Sequence, residues 1–427
     1  MRMQAAPTTG ERKRAITGWI LYDLANTIFA LNITSFYFSL WVVKDLGSTD
    51  ANFGVTTSIS MAAVFLTAPI IGALSDQTRR RMPFLVVTTV ICVAVTTQLG
   101  VRSALGALVL FAVANYFYQT GLIFYDALLP VVSTEENRGR IGGLGVGIGY
   151  MGSFIGLGTG FALTAALGVV EAKPVIFKAT AALFLLFALP CFFWVKEPPK
   201  KVGRFGFPTL GRALQELRGA ARLTANYPGL RRFLVGRVFY TDAANTLGVY
   251  MTIYVTQEIG FTEHQAGLVL VSGIAAAMVG APLWGLMVDR IGPRRTLHRV
   301  LAVWAVTLTL GFAIAQFHMP GGMFWIVAPL GGLALGGTWA ADRPYMLRLT
   351  PPRYLGLFYG FYNMVGRFSA ILGPLIWALI VNVLDLGRPV AVASLIVMIG
   401  ISYLILRPLS DAPRQWAEAD LPATEPS

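Results

Sequence analysis

The chain alternates long apolar stretches with short polar segments that are often basic. Twelve of the apolar stretches approach the ~20 residues that an α-helix needs to cross a bilayer core. These predicted spans are residues 17–43, 53–75, 84–101, 104–132, 141–170, 174–195, 233–256, 266–288, 298–317, 323–347, 354–384 and 389–409. They lack the ten-residue alternation of membrane β-strands, so the pattern predicts an all-α membrane protein with twelve transmembrane helices.

Composition excludes a water-soluble fold. Hydrophobic residues make up 55% of the 427 residues and charged residues only 13%, and the mean hydropathy is +0.63. Soluble chains carry about 25% charged residues. The two cysteines, Cys92 and Cys191, lie inside apolar stretches, so we expect packed hydrophobic side chains rather than a disulfide scaffold.

The net charge of +13 reflects topology rather than nucleic-acid binding. Lys and Arg are concentrated in the N-terminal segment, in the central segment, at the C-terminal end and in the loops on one side of the predicted spans. This asymmetry is the positive-inside bias, and it predicts an integral, multi-pass protein of a bacterial inner membrane with both termini in the cytoplasm. The bilayer is therefore an expected partner, and nucleic acid is not.

A basic interval at residues 196–232 divides the spans six and six. The predicted organisation is a tail at 1–16, a six-helix bundle at 17–195, a linker at 196–232, a second bundle at 233–409 and a tail at 410–427. Within the linker, residues 210–221 place apolar side chains on one helical face, which fits either a helix on the membrane surface or a solvated linker.

The two halves repeat each other. Tyr, Asp, Ala, Asn and Thr recur in the same order in residues 22–27 and 240–246. Asp76 and Asp126 recur, at a similar offset, as Asp289 and Asp342. The repeat predicts two pseudo-symmetric six-helix bundles, the arrangement of alternating-access carriers with a solute site between the halves.

Short motifs carry a family resemblance. Residues 72–81 and 285–295 resemble the signature loop of the major facilitator superfamily, although the first copy lacks the internal glycine. Residues 22–27, 125–130 and 360–369 resemble segments of the unknown-major-facilitator family, which is related to fungal vacuolar amino-acid effluxers. The resemblance implies the major facilitator fold and a gate at the two signature loops. The gating residues it implies are Asp76, Arg80, Arg81, Asp289, Arg290, Arg294 and Arg295.

Ionisable side chains inside the spans are expensive and mark candidate transport or coupling residues, because a central Asp or Arg costs about 2.5–3.5 kcal/mol on insertion scales. With the repeated asparagines of the same segments, these candidates are Asp23, Asn26, Asp126, Asp242, Asn245, Asp342 and Arg343. Three interpretations stay open: a gate in which Arg237 and Arg343 pair with the acids across the halves, structural pairs within one half, and proton coupling by Asp23 or Asp242.

Arg367 is the candidate for solute binding. It lies deep in the eleventh span and has no acidic neighbour one helical turn away, so its guanidinium could hold a carboxylate or phosphate, or pair with a distant aspartate. Amides at membrane depth are further candidates, although each more often bonds helix to helix. They are Asn32, Asn115, Gln119 and Asn363.

Motifs for enzyme chemistry are absent from the sequence. Residues 147–152 fit the GxGxxG pattern but lie inside an apolar helix without a preceding strand, so they do not indicate a dinucleotide site. Five glycines instead form a helical stripe, on which we expect the fifth helix to slide or rock: Gly145, Gly149, Gly152, Gly156 and Gly160. We therefore expect no catalysis, no cofactor and no metal. The sequence predicts a monomeric secondary transporter of a small polar solute, such as an amino acid or another carboxylate-bearing metabolite, with proton coupling left open. The alternatives are an uncoupled facilitator and a non-transporting sensor or assembly subunit.

Overall fold

The computed structural model describes residues 9–48, 50–76, 78, 80–197, 227–412 and 416. Twelve long helices fill the described part of the chain. They are α1 Thr9–Phe29, α2 Asp50–Asp76, α3 Met82–Thr96, α4 Ala104–Asp126, α5 Arg138–Leu167, α6 Val169–Trp194, α7 Pro228–Gln257, α8 Glu263–Ile291, α9 Pro293–Gln316, α10 Phe324–Leu349, α11 Leu355–Ala378 and α12 Gly387–Leu406. No strand occurs among these described residues, so the prediction of an all-α protein is confirmed.

Seven helices of the described part are long and apolar enough to cross a membrane by length and composition alone. An eighth qualifies if the two segments of α2, which meet at a 46° bend, count as one span. The break between the two segments falls at residue 69, which is a proline and so lacks the backbone N–H that an unbroken helix needs. The remaining helices carry charged residues or, like α3 with 15 residues, are short.

Helix boundaries follow local signals in the sequence. Ser103 caps α4 by accepting a hydrogen bond from the N–H of Gly106 (3.2 Å). Thr262 and Gln265 form a capping box at the start of α8. Gly292 has φ +90° and separates α8 from α9, a conformation that residues with a Cβ rarely adopt.

Several helix boundaries differ from the sequence expectation. α1 begins at Thr9, and α7 begins at Pro228, where proline suits the first turn of a helix. The first predicted span is not one helix, because π-helical turns at Ala30–Ser35 and Trp41–Asp45 interrupt it. The surface helix considered at 210–221 lies outside the described residues.

The packing repeats between the halves. In the first bundle, α1 packs on α5 and α6, and α4 packs on α2 and α3. In the second bundle, the equivalent helices do the same: α7 packs on α11 and α12, and α10 packs on α8 and α9. The two bundles meet along α5 with α8 and α2 with α11. We call the end that carries the loops 76–82, 132–138, 289–293 and 349–355 the basic end, and the opposite end the far end.

Two rows of glycines on α5 have different neighbours. The stripe that the sequence predicts faces α1 and the turns that follow α1 in the same bundle; a Cβ at Gly152, for example, would lie 2.4 Å from the carbonyl oxygen of Leu24. Gly139, Gly143 and Gly147 face α8 of the other bundle, and a Cβ at Gly143 would lie 2.5 Å from the carbonyl oxygen of Ala281. The predicted stripe is therefore a close contact within the first bundle, and the close contact of α5 with the second bundle uses the other row of glycines.

Candidate functional site

A cavity of about 390 Å³ lies between the two bundles. Six helices line it: α1, α4 and α5 from the first bundle and α7, α10 and α11 from the second. The lining residues that carry charge or a polar group are Asp23, Asn26, Thr27, Tyr118, Asp126, Tyr150, Arg237, Thr241, Asn245, Trp339, Arg343, Tyr362, Asn363 and Arg367. Such a cavity can hold a small polar solute and offers it both signs of charge.

Arg343 joins the two bundles at the cavity. Its guanidinium on α10 lies 3.1 Å from the carboxylate of Asp126 on α4 and 3.5 Å from that of Asp23 on α1. The Arg343 side chain is 14% exposed and the two acids less, so solvent screens these pairs weakly. The structure therefore brings together three of the predicted transport residues as a bridge between the halves.

Asp342 has a complete set of partners inside the second bundle. Its carboxylate accepts hydrogen bonds from Arg237 Nε (3.0 Å) and from the hydroxyls of Tyr240 (2.6 Å) and Tyr362 (2.8 Å). Arg237 also donates to the carbonyl of Tyr362 (3.0 Å) and lies 3.7 Å from the centre of its ring. The idea that Arg237 pairs across the halves is therefore wrong, because its ion pair stays within one bundle.

Asp242, the repeat partner of Asp23, lies outside the cavity. It is 1% exposed, and among the described residues neither carboxylate oxygen accepts a hydrogen bond from a side chain, although the backbone N–H of Gly373 approaches the carboxylate. The buried hydroxyl of Thr246, one turn further along α7, also has no hydrogen-bond partner within the described part of the chain. Both side chains point at Gly373 of α11, where a Cβ would lie 2.6 Å from an Asp242 oxygen. The two halves thus place equivalent aspartates in different surroundings.

Arg367 faces the cavity from α11. Within the described part of the chain its guanidinium forms neither an ion pair nor a hydrogen bond, and its Nε is buried. The two acids considered as distant partners are engaged elsewhere, Asp126 by Arg343 and Asp342 by Arg237. Arg367 is therefore a cationic group available to a solute.

The amides separate into two groups. Asn26, Asn245 and Asn363 line the cavity. Asn32 instead donates to Thr180 Oγ1 (2.9 Å) and joins α6 to the turn after α1, and Asn115 donates to Ser60 Oγ (2.6 Å) and joins α4 to α2. Gln119 bonds to Asn115 (3.5 Å). Asn32 and Asn115 thus connect helices, Gln119 bonds within α4, and none of the three lines the cavity.

At the basic end, carboxylates of one bundle cap helices of the other. Asp289 at the end of α8 accepts hydrogen bonds from the N–H groups of Gly139 (2.7 Å) and Arg140 (2.8 Å), the second and third residues of α5. Asp76 at the end of α2 accepts from the second and third residues of α11 (3.1 and 2.9 Å). A helix N-terminus has unpaired N–H groups and a positive dipole end, so each carboxylate holds the bundles together.

The predicted gating arginines differ in their partners and in their exposure to solvent. Arg81 lies 2.5 Å from Asp76 and 3.7 Å from Glu197 of its own bundle. Arg80 and Arg290 are exposed. The backbone N–H groups of Arg294 and Arg295 donate to Asp411 (2.7 and 3.0 Å), which caps α9.

Four further acids were missed by sequence reasoning. Glu197 accepts hydrogen bonds from the N–H groups of Arg81 and Met82 at the start of α3 (2.5 and 3.1 Å). Asp411 caps the start of α9 in the same way. At the far end, Asp45 pairs with Lys173, and Glu258 pairs with Arg388 (2.8 Å). In each bundle the acid follows the first helix and the base lies near the start of the sixth helix. All four follow the offset of the repeat, which could have revealed them.

Fold and site together define a membrane transporter of the major facilitator type. The human organic anion transporter MFSD10 superposes with a TM-score of 0.68 at 16% identity, over 94% of this chain and all of that one. A bacterial homologue of the iron transporter ferroportin, in an outward-facing state, gives 0.70 at 13% identity, over 93% and 98%. Both structures show the fold that the signature loops imply.

The chain belongs to the vacuole effluxer Atg22-like family, whose model matches residues 47–420. An uncharacterized MFS-type transporter of Bacillus subtilis, YxiO, is 27% identical over 411 residues, which cover 91% of this chain and 93% of that protein. The family and the fold are those of integral multi-pass transport proteins rather than of enzymes.

Proposed function

We propose that the protein moves a small polar solute with a carboxylate or similar anionic group by alternating access, and that the central cavity binds it. The observation that carries the proposal is Arg367, a guanidinium that faces the cavity and forms no ion pair with any residue that the structure describes. Its planar fork can hold a carboxylate in two parallel hydrogen bonds. Asn26, Asn245 and Asn363 offer further donors and acceptors beside it.

Binding to the purified protein tests this function. Amino acids, monocarboxylates, inorganic anions and neutral sugars are screened by the rise in melting temperature that a ligand of the folded state produces. For a solute that binds, Arg367→Ala should weaken affinity about ten- to hundredfold, since a hydrogen bond to a charged group contributes about 1.5–3 kcal/mol. Arg367→Lys should lose less, because it keeps the charge.

The matched control is Arg299→Ala, which removes an exposed arginine outside the cavity. Wild-type affinity in Arg367→Ala, or binding of neutral sugars alone, would contradict the proposal.

Coupling to protons is the finer part of the proposal, and Asp242 is its candidate site. A charged carboxylate without a partner in a protein interior costs several kcal/mol, and binding of a proton removes that charge. Asp242 faces Gly373 of α11 and the Thr246 hydroxyl, and no ion pair to it occurs among the described residues. Exchange of that proton with water then requires α7 to move relative to α11 within the second bundle.

Transport into liposomes distinguishes coupled transport from an uncoupled facilitator. Asp242→Asn should abolish accumulation driven by a pH gradient while counterflow exchange of the solute persists. Asp23→Asn serves as the comparison in the other half. If gradient-driven accumulation survives in both variants, neither aspartate carries the coupled proton. If the wild type shows no such accumulation, the protein is an uncoupled facilitator.

We place both termini in the cytoplasm of a bacterial cell and regard the working unit as a monomer. The concentration of Lys and Arg at the basic end supports the orientation. A single chain contains both bundles around one cavity, which supports the monomer. In this orientation the contacts at the basic end close the cytoplasmic side. Reporter fusions at the two termini and the mass of the purified particle test these assignments.

A further inference from the structure

A groove of about 410 Å³ lies at the basic end of the second bundle, between the start of α7 and the end of α12. It is separate from the central cavity and shares no lining residue with it. The groove is lined by Arg231, Arg232, Val235, Leu404, Ile405 and Pro408.

The groove carries uncompensated positive charge. Arg231 and Arg232 are exposed, and neither forms an ion pair or a side-chain hydrogen bond within the ranges that the structure describes. α7 contains no acidic residue before Asp242, and α12 contains none. Asp411, which follows α12, is engaged by the N-terminus of α9. The two guanidinium groups are therefore free to bind an anion.

Apolar side chains continue the groove toward the middle of the helices. Val235 lies one turn after Arg231 on the same face of α7 and is 46% exposed, and Leu404 on α12 is 63% exposed. The floor is closed, because the Ser402 hydroxyl donates to the carbonyl of Gly236 (2.9 Å) and a Cβ at Gly236 would lie 2.7 Å from Leu406. Cationic groups at the helix ends and apolar groups one turn deeper match the order of groups along a phospholipid.

We propose that this groove binds an anionic phospholipid, with its phosphate on Arg231 and Arg232 and an acyl chain along Val235 and Leu404. Basic pockets between membrane helices bind anionic headgroups, whereas the ammonium group of a zwitterionic lipid would lie beside two positive charges. The proposal concerns the lipid-facing surface and does not depend on which solute is transported.

Native mass spectrometry of the delipidated full-length protein tests the proposal. Phosphatidylglycerol, phosphatidylcholine and sn-glycerol 3-phosphate are titrated separately. Removing both arginines in Arg231→Gln/Arg232→Gln should weaken phosphatidylglycerol binding about thirtyfold, at roughly tenfold per 1.4 kcal/mol and about 1 kcal/mol per arginine. Each single variant should show a smaller loss of phosphatidylglycerol affinity.

The matched control is Arg12→Gln/Arg14→Gln, which removes two exposed arginines from the start of α1 at the same end. It should bind phosphatidylglycerol as the wild type does. The proposal is overturned if both double variants lose binding equally, if phosphatidylcholine binds as tightly as phosphatidylglycerol, or if sn-glycerol 3-phosphate displaces the lipid from the site. Melting temperatures measured without lipid verify that the variants are folded. If the double variant does not fold, lipid binding by the two single variants decides whether the arginines hold the phosphate.

Discussion

At the scale of single residues, two buried aspartates of the second bundle have opposite surroundings. Asp342 receives three side-chain hydrogen bonds, one of them from Arg237, and is 0% exposed. Asp242 is 1% exposed and receives none. The two residues should therefore differ in their contribution to stability even though sequence and burial make them look alike.

Thermal unfolding in detergent should separate these two aspartates. Asp342→Asn leaves Arg237 as an uncompensated buried charge and should lower the free energy of unfolding by about 3–5 kcal/mol. Asp242→Asn breaks no ion pair and, with the carboxyl group protonated as proposed, should change the free energy of unfolding by less than about 1 kcal/mol. Replacing both members of the pair, in Arg237→Met/Asp342→Leu, should recover much of the loss. Similar melting temperatures for the two single variants would show that the pairing does not stabilise the bundle.

At the scale of helices, four N-termini are capped by distant carboxylates, and the caps are of two kinds. Asp76 and Asp289 cap α11 and α5 of the opposite bundle. Glu197 and Asp411 cap α3 and α9 of their own bundle. Only the first kind must break if the bundles separate at the basic end.

Asp289→Asn should shift the equilibrium toward the state that is open at the basic end. A cap contributes about 0.5–2 kcal/mol, which corresponds to a population ratio changed about two- to thirtyfold. Spin labels at exposed positions 14 and 299, one in each bundle, report the separation by pulsed electron resonance; both native cysteines are buried and should not react.

Glu197→Gln is the control, because it weakens a cap of the same chemistry inside one bundle. It should lower the melting temperature without lengthening the distance between the labels. If the two variants give the same distance distribution, the caps across the bundles do not set the facing state.

Contact between α5 and α8 depends on small residues. Gly143→Ala places a Cβ 2.5 Å from the carbonyl oxygen of Ala281, so the helices must move apart and the label distance should lengthen. Gly158→Ala, on the same helix with nothing within 4 Å of the new Cβ, should leave the distance unchanged. It should also raise stability by up to about 1 kcal/mol, the helix preference of Ala over Gly. Equal distances in the two variants would contradict a close contact at Gly143.

At the scale of the whole molecule, Arg343 connects both bundles beside the cavity. It forms ion pairs with Asp23 and Asp126, and both ion pairs must break when α10 moves away from α1 and α4. At the far end, by contrast, the Arg388–Glu258 pair lies within one bundle and can move with it.

Arg343→Met should open the cavity from the basic end. A reporter cysteine at the cavity position Asn26 should then react faster with a membrane-impermeant thiol reagent added to the basic side. Arg388→Met removes a paired arginine that does not join the bundles and should leave that rate unchanged. Equal rates in the wild type and the Arg343 variant would show that the bridge does not hold the cavity closed.

The sequence by itself determined the membrane class, the helices and the repeat. These are local properties, because the length of an apolar stretch and the energy of inserting it depend on neighbouring residues alone. Boundary signals such as Ser103 before α4 and Gly292 after α8 are local as well. The family followed from short contiguous motifs, and the family model confirms it.

Only the tertiary structure decided which polar residues share a site. Asp23 and Asp242 occupy equivalent positions in the repeat, yet one lines the cavity beside Arg343 and the other is buried against α11. Gly139, which donates a hydrogen bond to Asp289, lies 150 residues before it in the chain. Such pairings depend on the rotation of each helix and on its neighbours, which helical periodicity leaves open because every face of a membrane helix is largely apolar.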